Sequence, residues 1–239
     1  MEQRIQKILS HYGVASRRQA EQMILDGRVR INGNTARLGD TALEDDVIEV
    51  DGVRLRKAPP RVYIMLNKPR GYVTTLSDEQ GRKNVSELVA DCGQRVYPVG
   101  RLDLNSEGLL IMTNDGAFAQ ALSHPKGEIR KTYLVWVNDF SKEALPLLQS
   151  PIEIDGRNTR PAKVRTIKQT GTSALLEFSI SEGRNRQIRR LCENAGLTVT
   201  RLRRIQEGVL QLGELRPGQW RNLTVEELQA LQSEIRAQK

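Results

Sequence analysis

Two cysteines and two histidines in 239 residues leave little material for metal ligation or disulfide scaffolding. Cys92 and Cys192 stand a hundred positions apart, without the paired spacing of a zinc site, and both read as small buried apolar residues. With His11 and His124 the only histidines, there is no HExxH motif, and neither a P-loop nor a strand-borne GxGxxG pattern is present. Metalloenzymes, P-loop NTPases and His-based triads are disfavoured together. No stretch approaches the ~20 apolar residues of a membrane helix, and Met-Glu-Gln-Arg opens the chain without an apolar run of signal-peptide length. The expectation is a cytoplasmic protein with no membrane partner, no metal and no cofactor, whose chemistry falls to carboxylates, Tyr, Arg and Lys.

Basic charge is what the chain has in excess. Lys and Arg number 37 against 29 Asp and Glu, a formal charge of +8 and a pI near 9.7, which suits a polyanionic partner, with nucleic acid the leading candidate. The length allows two unequal domains.

Ile5, Ile8, Leu9 and Tyr12 recur at helical spacing before Gly13. Ser16 and Gln19 then form a capping-box pattern for a second helix reaching Leu25, with Gly27 as its stop. Arg17 and Arg18 fall in the first turn of that helix, where positive charge opposes the dipole, so stability does not explain them. A phosphate docked on the helix end would. Arg28-Val29-Arg30-Ile31 reads as a strand alternating basic and apolar residues, followed by an Asn32-Gly33 hairpin turn, and Val47–Val50 as a further strand closed by Asp51-Gly52. This stretch, with Ala15–Ala20 and Gly27–Gly33 in that order, resembles an S4 RNA-binding domain. The resemblance implies that the second helix and the following strand carry RNA-facing basic residues, here Arg17, Arg18, Arg28 and Arg30. Residues 1–60 hold 10 Lys/Arg and 9 Asp/Glu, so any basic face there is local.

Lys57-Ala58-Pro59-Pro60-Arg61 reads as a stiff linker, giving expected domains at 1–60 and 61–239. Tyr63–Leu66 reads as a buried strand, Asn67–Gly71 as a basic turn and Tyr72–Thr75 as another strand. Lys68 and Arg70 either contact phosphates or solvate the turn. Gly100-Arg101-Leu102-Asp103-Leu104-Asn105-Ser106-Glu107-Gly108 is a charged turn running into the apolar run Leu109–Met112. An extended backbone there would turn Leu102 and Leu104 one way and Arg101, Asp103 and Asn105 the other. From these residues alone, a structural Arg-Asp pair and a catalytic carboxylate are equal readings.

Ala117–Leu122 reads as a short helix ended before His124-Pro125, and Lys131–Val137 and Leu175–Ile180 as strands, with Tyr133 sharing a face with Val135 and Val137. From Glu182 to Arg204 there are seven arginines, two glutamates and no lysine. An all-arginine choice points to recognition of phosphate or base rather than to generic solubility. Part of this segment reads as helix, with Arg186 and Arg190 one turn apart and Ile188, Leu191 and Cys192 facing the core. Thr224–Leu228 resembles the start of a capped helix.

Gly100–Asp103 with Gly108–Leu110, then Lys131-Thr132-Tyr133, then Glu182–Arg190, behind an S4-like region, closely resemble the bacterial ribosomal pseudouridine synthases of the RsuA and RluB type. The resemblance implies an α+β catalytic domain on a mixed, largely antiparallel sheet. It implies Asp103 as the catalytic aspartate, Tyr133 as the tyrosine that stacks under the uracil and takes part in proton transfer, and Arg184 or Arg189 as the basic partner of the aspartate. Ile188 matches the residue lining the base pocket and Arg101 the arginine that holds the RNA open; the arginine-rich segment itself adds Arg186 as a further RNA contact. The partner implied is ribosomal RNA, 23S rather than 16S by overall pattern, met as RNA or as a pre-ribosomal particle by a monomeric enzyme without a cofactor. The competing readings are a 16S rRNA enzyme, a non-catalytic S4-type assembly protein and a nucleoside glycosidase, although a glycosidase would call for a second motif-borne carboxylate.

Overall fold

The structure, a computed structural model, describes residues 2–43, 45–56, 58–124 and 127–238. Lys57 of the expected linker and Pro125 of the expected helix stop lie outside the described residues. The chain divides into two compact units, Met1–Val62 with Cys92–Arg95 and Asn114–Gly116, and the remainder.

In the smaller unit, helices α1 (Ile5–His11) and α2 (Arg17–Leu25) bury Ile5, Leu9, Ala20 and Ile24 on a core closed by Val29, Ile48 and Val50. The α2 start is the capping box the sequence implies: the Gln19 amide donates to Ser16 Oγ, and the Ser16 amide to Gln19 Oε1. Strands β1 (Val29–Ile31), β2 (Asn34–Thr35), β3 (Ile48–Val50) and β4 (Val53–Arg54) form a sheet in the order β2-β1-β3-β4. Both expected hairpin turns are present, with Asn32, Gly33, Asp51 and Gly52 all at positive φ.

The larger unit is built on a sheet with nine strands among the described residues. Its main strands are β5 (Tyr63–Lys68), β6 (Glu107–Thr113), β7 (Lys131–Asn138), β8 (Lys163–Thr170), β9 (Ser173–Ile180), β10 (Thr198–Glu207) and β11 (Trp220–Asn222), in the order β8-β9-β7-β10-β6-β5-β11. Every main pairing is antiparallel except β10 with β6, where Arg203 and Arg204 lie opposite Glu107 and Gly108. The fold is α+β on a mixed, largely antiparallel sheet, as expected. Helices α3 (Gly116–Ser123) and α6 (Val225–Ala237) bring Phe118, Leu122, Leu231 and Ile235 onto Met65, Leu109 and Ile111 from the sheet. The start of α6 has its own capping box, Thr224 with Glu227. Helices α4 (Ala144–Gln149) and α5 (Gln187–Asn194) pack on each other and on β8 and β10.

Three expectations change. Residues Val73–Thr75 form no strand; Val73 makes one isolated bridge to Asn84, and its neighbours' hydrogen bonds go to loop partners. Leu104 is exposed where Leu102 is buried, because the chain turns between them: the Ser106 amide donates to Asp103 O at 3.0 Å. Cys192 is buried as expected, with burial pushing its thiol up to about 12, whereas Cys92 is only partly covered.

Candidate active site

The loop before β6 is fixed residue by residue, and its fastening explains why Asp103 can be held in one place. Thr74 Oγ1 donates to Leu102 O at 2.6 Å and accepts from the Leu102 amide at 3.2 Å. The Gly71 amide donates to Leu104 O at 2.8 Å, and Arg189 Nη2 to Asn105 O at 3.0 Å. Lys68, which ends β5, supplies the rest: Nζ donates to Pro69 O, Asp103 O and Ser106 O at 3.1, 3.0 and 2.8 Å. Every residue from 102 to 106 therefore has its backbone tied, a preorganised mount for one side chain. The Asp103 carboxylate itself remains 37% exposed.

Lys68 corrects a sequence expectation. It is fully buried, not displayed in the basic turn, and its three donors go to carbonyls, leaving none for phosphate. Burial pushes its ammonium down to about 8, against the opposing pull of Asp103 and Glu107.

The cations that reach Asp103 come from the start of α5. Arg186 Nη1 lies 3.9 Å from Asp103 Oδ2. Its backbone is left-handed, φ 51°, a conformation costing a non-glycine residue about 1–2 kcal/mol, yet its carbonyl still accepts the Arg190 amide. Arg189 is half-buried in the first turn; burial first and the neighbouring Arg186 second lower its pKa, while Asp103 favours its charge. Arg184 does not join them. Its Nη1 donates to Ile154 O and Arg157 O at 3.1 and 2.8 Å, and Nε lies 3.3 Å from Glu182 Oε2, so it staples the turn between Glu153–Ile154 and Arg157–Asn158. Of the two arginines expected to partner Asp103, only Arg189 is placed to act on it. Ile188 is buried beside Arg189, and Arg101 is exposed, with no hydrogen bond or ion pair to the described residues.

Tyr133 enters from β7, where Phe178 of β9 and Arg204 of β10 flank it. It is 7% exposed, and Arg204 lies directly opposite it across the strand pairing. Burial pushes its hydroxyl pKa up; Arg204 opposes that shift, and Glu207 and Asp103 add to it. Arg204 and Glu207 escape the motif reading altogether. The available signal was strand alternation, which sets Arg204 on the inward side with Leu202.

In the smaller unit, Arg17, Arg18 and Arg30 are exposed and free of partners among the described residues, and no acidic residue stands in the first turn of α2. Arg28 differs: it is bidentate to Asp51 at 2.8 and 2.7 Å, so a phosphate would have to displace that carboxylate.

A fixed carboxylate among arginines, beside a buried tyrosine and without nearby metal-ligating clusters among the described residues, is the equipment of an enzyme acting on a polyanion. The model of the RNA pseudouridylate synthase family matches residues 62–194, and that of the S4 domain residues 3–48. An uncharacterized RNA pseudouridine synthase of Aquifex aeolicus is 43% identical over 235 residues, covering 97% of this chain and 94% of that protein. Ribosomal large subunit pseudouridine synthase B of Bacillus subtilis is 41% identical, covering 97% and 96%. A crystal structure of a pseudouridylate synthase superposes with a TM-score of 0.66 at 28% identity over 99% of each chain. The chain belongs to the RNA pseudouridylate synthase family. It is an isomerase that converts uridine in RNA to pseudouridine, with an S4 domain at its amino-terminal end.

Proposed function

We propose that this enzyme isomerises uridine in large-subunit, 23S-type ribosomal RNA, met as naked RNA or as a pre-ribosomal particle, and works as a cytoplasmic monomer. The name of the Bacillus subtilis relative supports the target. No helix among the described residues is long and apolar enough to cross a membrane.

In this reading residues 1–60 dock and residues 61–239 carry the chemistry. Arg17, Arg18 and Arg30 contact phosphates, which position RNA without reading its bases. The target nucleotide leaves its stack, with Arg101 holding the opened strand and Tyr133 and Ile188 enclosing the base. The N1–C1′ bond must break, C5 must join C1′ and lose its proton, and N1 must take up a proton, while the uracil stays bound. Asp103 either adds to C1′ or draws the 2′ proton, and both routes need one carboxylate at a fixed place. The observation that carries this assignment is the half-exposed Asp103 on a loop whose backbone is bonded at each of residues 102–106. Arg186 and Arg189 stand beside it and face the RNA backbone.

The test uses unmodified ribosomal RNAs incubated separately with the pure enzyme, then derivatised with carbodiimide, which marks pseudouridine, and read by mass spectrometry. Marking of the large-subunit RNA alone supports the reading; marking of the small-subunit RNA alone reassigns the target.

A further inference from the structure

The side chain paired with Tyr133 across the sheet, buried like the tyrosine, belongs to none of the motifs. Arg204 lies opposite Tyr133 across the β7–β10 pairing and is 2% exposed. Its Nε donates to Leu109 O on β6 at 2.7 Å, and its Nη2 faces Glu207 Oε2 at 3.2 Å, out of hydrogen-bond alignment. Glu207, 3% exposed, has its other oxygen 4.0 Å from Lys131 Nζ, which donates to Ile129 O at 3.1 Å. A line of polar groups, Tyr133, Arg204, Glu207 and the part-buried Lys131, thus joins the paired strands β7 and β10. Burial works against the Arg204 charge, but Glu207 and Tyr133 outweigh it.

Packing does not call for this line. Two residues away on the same face, the same two strands are joined by Val135 and Leu202, both buried and apolar. A buried ion pair contributes little that well-packed apolar residues could not replace. What an apolar pair could not do is fix a hydroxyl relative to a neighbouring strand. Arg204 bonds Leu109, on the strand that the Asp103 loop leads into, and the same contact requires Gly108. A Cβ on Gly108, at φ +107°, would lie 2.8 Å from Arg204 N and closer still to its carbonyl oxygen. The close approach of β6 to β10 therefore lets one guanidinium join the tyrosine to the strand behind the aspartate.

We propose that Arg204 is a positioning residue for the isomerisation, holding the Tyr133 hydroxyl at a set distance from the Asp103 loop, with Glu207 fixing the guanidinium. This rests on the family reading of Tyr133 as a participant in proton transfer, beyond its stacking under the base. Arg204 itself contacts no substrate; it acts through the tyrosine hydroxyl and has nothing to act on once that hydroxyl is gone.

The experiment is a double-mutant cycle on the full chain. Turnover at saturating RNA and KM are measured for Arg204→Met, Tyr133→Phe and the double variant, each with a thermal melt, and for Arg204→Lys as the conservative rescue. Arg204→Met is expected to lower kcat by about 10–100-fold with KM within about twofold, because misplacement of a reacting group acts on turnover. In the Tyr133→Phe background the same change is expected to cost less than about threefold, and Arg204→Lys to recover part of the loss. An equal fold-loss in both backgrounds would overturn the inference, since Arg204 would then act without the hydroxyl. Full activity of Tyr133→Phe alone would overturn the reading of the tyrosine, and the two failures are told apart by the single variants. If Arg204→Met melts below the assay temperature, Glu207→Gln and Arg204→Lys carry the same comparison, with non-additivity again expected and additivity again fatal.

Discussion

Replacing Lys68 with Met keeps most of the apolar stem of the side chain and removes the ammonium, donors and charge together, so it isolates what the buried ammonium does. Three carbonyls lose a partner, those of Pro69, Asp103 and Ser106. The bonds to Pro69 and Asp103 are part-buried, so water can replace the donor there, but the Ser106 bond is wholly buried. One buried carbonyl left unsatisfied, plus two weakened charge-assisted bonds, costs about 2–4 kcal/mol. For a chain of this size that lowers Tm by roughly 4–16 °C. Activity should suffer further, because a displacement of about 1 Å in the Asp103 loop costs on the order of a hundredfold in turnover. The pH response gives an independent check. The lysine is held down at about 8 in the fold against an ordinary 10.5, so between these values the unfolded chain binds more protons and stability rises with pH. The Met variant loses that rise. Melting curves from pH 7 to 10.5, with turnover followed by release of tritium from C5-labelled uridine in RNA, measure all three. A Met variant with unchanged Tm, full turnover and the parental pH profile would refute the loop-anchoring argument.

Gly108→Ala should be more damaging than any other alanine substitution on β6, by at least about 3 kcal/mol, since it combines positive φ with backbone overlap against Arg204; a melt within about 1 kcal/mol of wild type would contradict the close approach. Replacing Arg17 and Arg18 with Gln should reduce the salt slope of RNA binding by about 1–2 while preserving turnover at saturating RNA. The same double variant should melt no lower than wild type, because both charges oppose the α2 dipole without an acidic partner; an unchanged salt slope with a lower melt would make these arginines structural.

Elements whose signals are local were legible in the sequence. The Ser16–Gln19 and Thr224–Glu227 capping boxes specify their helix starts within four residues, and the Asn32-Gly33 turn needs only its own positive φ values. The long strands through Tyr63, Leu109, Tyr133 and Phe178 follow from apolar runs and alternation. Val73–Thr75 misleads because its β-prone residues suggest a strand where the available partners are loop groups, Leu102 among them. Lys68 and Arg184 mislead, and Arg204 escapes, for a common reason: each is tied to carbonyls at least 27 positions away in sequence. A charged residue in a motif is legible as chemistry, but whether its donors are already taken depends on pairings such as β6 with β10 that no local pattern announces.

The most direct test of the account is the activity of Asp103→Asn, purified free of deamidated protein and assayed beside wild type for tritium release and RNA binding. The amide that replaces the carboxylate keeps its size and leaves the loop bonds in place, but it cannot add to C1′ or accept the 2′ proton, so pseudouridine formation should fall to the detection limit. RNA affinity should hold or rise slightly, since one negative charge leaves a cleft lined by Arg186 and Arg189. Turnover by this variant above about a thousandth of wild type, with RNA binding intact, would contradict the assignment of Asp103.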